Sequence, residues 1–74
     1  MMIKVKLFAT LRKNLGKELD FEYRDGLKIQ DVIDEIGVDS TKVSITLING
    51  VHQTTDTLLK DNDKLYLFPP VGGG

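Results

Sequence analysis

Cysteine is absent from this 74-residue chain, and histidine occurs once, at position 52. Without cysteine there is no disulfide, no thiolate nucleophile and no thiolate metal site, so any sulfur the protein handles must be brought to it. Aromatic residues make up only 7%, and ten lysines and arginines are scattered among eleven acids for a net charge of -1. That distribution lacks the one-sided basic clustering of a nucleic-acid footprint. Long apolar runs are also missing. The stretch Met1-Met2-Ile3-Lys4-Val5-Lys6-Leu7 interleaves lysine with apolar residues, unlike a signal peptide or a spanning helix, and a cytoplasmic protein without membrane association is expected. A chain of this length has room for one domain, residues 1–74, which buries only about 60% of its unfolded surface. A deep enzyme pocket is not expected, and by itself the protein should catalyse nothing.

What is present is strong periodicity. Ile3, Val5 and Leu7 alternate with Lys4 and Lys6, and Leu19, Phe21 and Tyr23 alternate with Asp20, Glu22 and Arg24, the period of two of half-buried strands. After Asp25-Gly26, Ile29, Val32, Ile33 and Ile36 fall at i, i+3, i+4 and i+7, a helical stripe stopped by Gly37. Val43, Ile45 and Leu47 alternate with Ser44 and Thr46 up to Asn49-Gly50, a dipeptide suited to a tight hairpin, and Val51 begins the return strand. A last strand, Lys64 to Phe68, follows the polar turn Asp61-Asn62-Asp63. One helix over one face of a mixed sheet, an α+β arrangement, would cover the apolar side of both.

The side chains offer little chemistry. His52 has no cysteine partner and no G-x-S-x-G serine, so it reads as a surface histidine beside the hairpin. Asp61, Asn62 and Asp63 lack the spaced acids and closing glutamate of a calcium loop and read as a turn, and no metal site is expected. Asp31, Asp34 and Glu35 lie off the apolar stripe, where a solvated helix face is the simpler reading than a set of general acids.

The carboxy-terminal segment Pro69-Pro70-Val71-Gly72-Gly73-Gly74 differs in kind. Two prolines remove backbone donors and favour an extended path, and glycines without Cβ atoms can thread a narrow cleft in another protein. From Pro69 to Gly74 the extended reach is about 20 Å. A terminal α-carboxyl has a pKa near 3.3 to 3.7, so at neutral pH it is an anion and a poor acyl donor until activated. Adenylation with ATP would supply a leaving group, and attack by a sulfur nucleophile would then yield a thiocarboxylate. On composition alone, the alternative of a terminus whose small residues carry no function stays open.

Three stretches, Phe8-Ala9-Thr10-Leu11-Arg12, Ile48-Asn49-Gly50 and Leu67-Phe68-Pro69-Pro70-Val71-Gly72-Gly73-Gly74, resemble the small, sulfur-carrying subunit of molybdopterin synthase, one of the ubiquitin-like sulfur carriers. The resemblance spans the chain and implies a β-grasp fold like that of ubiquitin, with first and last strands adjacent and residues 69–74 projecting as a tail. It further implies that the Gly74 carboxylate, preceded by Gly73, is adenylated by an ubiquitin-activating-like adenylyltransferase that consumes ATP. A sulfurtransferase system then supplies sulfur, and the large subunit of molybdopterin synthase receives it for the molybdenum or tungsten cofactor. No cofactor is expected on the carrier itself. Phe8, Phe68, Pro69, Pro70, Val71 and Gly72 are the implied partner contacts, although Phe8 and Phe68 could equally be core aromatics. Gly72, Lys13, His52 and Lys28 depart from the residues common at their positions in that family. Carriers for thiamine or other sulfur metabolites share the fold and the terminal glycines, and a ubiquitin-like protein modifier is a further alternative.

Overall fold

Alternation in the first seven residues makes a strand, and the computed structural model, which describes residues 1–13 and 15–70, places it at the centre of a mixed sheet. The strands are β1 (Met2–Leu7), β2 (Glu18–Glu22), β3 (Ile45–Ile48), β4 (Val51–His52) and β5 (Lys64–Phe68), in the order β2-β1-β5-β3-β4. β1 runs antiparallel to β2 and parallel to β5, with Val5 opposite Leu19 on one side and Leu65 on the other. β3 pairs antiparallel with both β5 and β4. The first and last strands are therefore neighbours, and the arrangement is the β-grasp fold.

The helix α1 (Ile29–Ile36) crosses one face of the sheet. Its stripe residues Ile29, Val32 and Ile33 are fully buried with Ile3, Val5, Leu7, Leu65 and Leu67. Gly37 ends the helix in the left-handed region, φ 86°, where its amide donates to the Ile33 carbonyl. At the other end Asp31 Oδ2 accepts the Lys28 amide at 3.0 Å, so the residue three places into the helix does the capping that a hydroxyl at Lys28 would otherwise begin. The segment after β4 holds the same end: Thr57 and Thr55 carbonyls accept from the amides of Ile29 and Gln30, and Leu59 joins the core.

Three details differ from the expected pattern. β2 stops at Glu22, one residue before Tyr23, whose amide still donates to the Met1 carbonyl. Val43 and Ser44 lie outside β3, behind a short turn of 3-10 helix at Ser40–Lys42. Within β3 it is Thr46 that is buried, with Ile48 packed on the core, while Ile45 and Leu47 take the opposite face. Pairing decides this: Thr46 lies opposite Leu67, and its hydroxyl donates to the Gln53 carbonyl, which satisfies the buried polar group. Among the described residues, no helix is long and apolar enough to cross a membrane.

Candidate functional site

The sheet has one covered face and one open face. On the open face, alternation brings Lys4 and Lys6 of β1, Lys64, Tyr66 and Phe68 of β5, and Ile45 and Leu47 of β3 together. Lys4 reaches Glu18 and Asp20 on β2, each at 3.0 Å, so the β2 side of this face is polar. The side nearer the carboxy terminus is aromatic. Phe8, immediately after β1, stacks on Phe68 with ring centroids 4.2 Å apart and planes 7° from parallel, and lies 6.3 Å from Tyr66. Two cations close the group: the Arg12 guanidinium lies 5.6 Å over Phe8, and Lys6 Nζ 5.8 Å from the Tyr66 ring.

Local structure explains the grouping. Ala9, with φ 51°, bends the chain after β1 into a short 3-10 helix, Ala9–Arg12. This turn sends Leu11 into the core and leaves Arg12 free to fold back, its Nε donating to the Leu7 carbonyl at 2.9 Å. The Phe8 amide donates to the Leu67 carbonyl, and the Phe68 carbonyl accepts the Ser44 amide at 2.8 Å. Phe68 is thus held by backbone and ring where the chain passes into half-buried Pro69 and exposed Pro70. Phe8 and Phe68 are half-buried and lie outside the hydrophobic core. They form, with Tyr66, an apolar surface at the root of the tail. Val71, Gly72, Gly73 and Gly74 lie outside the described residues.

Five of the remaining polar candidates, Asp31, Asp34, Glu35, Asn62 and Asp63, have structural employment. Asp63 is buried and accepts from the Lys60 amide at 2.8 Å and Asn49 Nδ2 at 2.9 Å, while Asn62 takes the left-handed conformation of a turn, φ 72°. Asp31 caps α1, Asp34 accepts from Gln30 at 2.8 Å, and Glu35 pairs with Arg24. The hydrogen bond from Arg24 holds the Glu35 carboxyl below the ordinary carboxylate range. His52 is exposed on β4, opposite Leu47. Among the described residues no cluster of three metal-ligating side chains occurs. Tyr66 and Arg12 are members of the aromatic surface that the sequence pattern does not single out. The spacing Tyr66-x-Phe68 was a usable signal for the first, whereas Arg12 joins the stack only through the turn at Ala9.

The model of the ThiS family matches residues 5–74. A chain from Pyrococcus furiosus assigned to molybdopterin converting factor, subunit 1, is 31% identical, with 96% of this chain and 99% of that one covered and a TM-score of 0.77. Small archaeal modifier protein 1 from Methanosarcina acetivorans is 30% identical, covering 100% and 99%, with a TM-score of 0.71. A complex of subunits 1 and 2 of molybdopterin-converting factor from Helicobacter pylori contains a chain 22% identical, covered completely on both sides at a TM-score of 0.65, a likeness of fold alone.

Proposed function

Because this chain belongs to the ThiS family, we propose that it is a sulfur carrier whose Gly74 carboxylate is adenylated by an ATP-consuming partner and converted to a thiocarboxylate. In the balanced sequence, the carboxylate oxygen attacks the α-phosphorus of ATP and pyrophosphate leaves. Hydrosulfide released by a sulfurtransferase system then attacks the acyl carbon, AMP leaves, and loss of the proton from sulfur gives the thiocarboxylate. The thiocarboxylate sulfur then bonds to a carbon of a molybdopterin precursor held by a large-subunit partner, displacing an oxygen substituent, and water cleaves the acyl–sulfur bond to restore the Gly74 carboxylate. The scheme asks the carrier itself for no acid, base or metal.

The observation that carries the reading is the aromatic stack Phe8–Phe68 with Tyr66 beside it, a half-buried apolar surface anchored where the tail departs. Such a surface suits a partner that must seat the domain while the terminal glycines enter its active site. The molybdopterin assignment is supported by the likeness to the Pyrococcus furiosus chain. Intact mass of the untagged protein from its native host tests the chemistry. A species heavier by the exchange of one oxygen for sulfur, localised to Gly74, is expected, and only the unmodified mass under demand for molybdenum enzymes would refute it. Deleting Gly74 should abolish sulfur transfer and leave the melting temperature unchanged.

A second reading has its own support in the likeness to small archaeal modifier protein 1: activated Gly74 would be joined to lysines of target proteins. A ladder of heavier conjugates in host extract, lost on deletion of Gly74, distinguishes it from a dedicated carrier.

A further inference from the structure

The end of the molecule from which β5 leaves carries a second feature. A groove of about 300 Å³ lies between the β1–β2 connection and the carboxy-terminal end of α1. Leu11, Leu15, Ile36 and Val38 provide its apolar lining, and Lys13 and Lys42 stand on its two sides. Leu11 belongs to the core, and the other three are partly buried against it, so the lining is backed by the core and still reachable. None of the groove residues takes part in the aromatic stack. The short helix Ala9–Arg12 separates the two surfaces, with Arg12 on the Phe8 ring and Thr10 and Leu11 in the groove.

Charge selects the occupant. Among the described residues, ion pairs are made by Lys4 and Arg24, and neither groove lysine is in one. Asp39, the groove's acid, turns its carboxylate to the Thr41 amide at 3.0 Å and hydroxyl at 2.7 Å. Those bonds, with a smaller contribution from Lys42, keep it ionised at lower pH than an ordinary aspartate. Lys17, exposed on the same β1–β2 connection, adds positive charge at this end. We propose that the groove is a docking site for a peptide segment of a partner protein that inserts one aliphatic side chain between Leu11, Leu15, Ile36 and Val38 and sets carboxylates against Lys13 and Lys42. A partner held there leaves the aromatic surface uncovered, so the carrier can be retained by one protein while that surface is presented to another.

The test is a titration of the isotopically labelled full chain with the peptide acetyl-Asp-Glu-Leu-Glu-Asp-amide, followed by amide chemical shifts. Saturable shifts confined to residues 10–15 and 36–42 are expected, and they should be absent with a peptide in which lysines replace the acids. The variants Lys13→Glu and Lys42→Glu alter exposed side chains and should melt like the parent. Together they should weaken binding about tenfold, as two screened surface ion pairs would. Replacing the peptide's leucine by alanine should weaken it further. Shifts that map instead to Phe8, Tyr66 and Phe68, an absence of saturation, or affinity unchanged by the charge reversals would each overturn the proposal. The outcome does not depend on thiocarboxylate formation, so failure here and failure of the carrier reading are separately visible.

Discussion

Asn49 holds the hairpin turn in three ways at once. Its backbone takes φ 52°, next to Gly50 at 87°, the paired positive angles that a two-residue hairpin needs. Its side-chain Nδ2 donates to Asp63, and its side-chain Oδ1 accepts the Lys64 amide at 3.0 Å. The β3–β4 turn is thereby fastened to the start of β5. Asn49→Ala should cost about 1–3 kcal/mol in chemical denaturation, since buried Asp63 loses a donor and the Lys64 amide its acceptor. Phe8→Ala is a contrasting case. The ring is half-buried and outside the core, so the loss should be modest, about 0.5–1.5 kcal/mol from the aromatic pair besides its buried area. Affinity for the partner should fall much more than stability. A pull-down and a thermal melt of the same variant measure both, and equal losses would place Phe8 with the core. An Asn-Gly dipeptide announces its turn, whereas the use of Thr46 as an inward residue is announced by nothing local.

At the scale of elements, α1 has eight residues and could not persist alone, because a helix of two turns does not repay its nucleation. Burial of Ile29, Val32 and Ile33 and the carbonyls of Thr55 and Thr57 at its first turn keep it in place. Ile33→Asp puts an unpaired charge at a fully buried position and should abolish the cooperative melt. Outside that stripe, the Arg24–Glu35 pair ties the β2–α1 connection to the helix. The Glu35 carboxyl is held low by Arg24, so its contribution is present above the ordinary carboxylate pKa and disappears as pH falls through its depressed folded-state value. Glu35→Gln should therefore melt below the parent at neutral pH, and the difference should close in acid. A difference that widened in acid would show that the pair does not stabilise the fold.

For the whole molecule, the decisive contact is the parallel pairing of β1 with β5, which joins residues some sixty positions apart, Lys4 with Lys64 and Leu7 with Leu67. Leu65→Ala, at a fully buried site between both halves of the sheet, should cost about 2–5 kcal/mol. Near- and far-ultraviolet dichroism should then be lost together, and separate transitions would mean that the two hairpin halves fold independently. The same pairing explains what could be read from the chain alone. Periodicities of two and of 3.6 in Ile3–Leu7, Leu19–Phe21, Ile29–Ile36 and Lys64–Phe68, with the punctuation at Gly37 and Asn49-Gly50, determined the elements and most of the core, because burial on one face imposes its period on the sequence. The abrupt change to proline and glycine after Phe68 likewise marked where the last strand ends. Which side of β3 turns inward, and that Phe8, Arg12, Tyr66 and Phe68 meet in one surface, were decided only by tertiary structure. Strand register and the bend at Ala9 set those distances, and both arise from contacts between residues far apart in the chain, which no local pattern encodes.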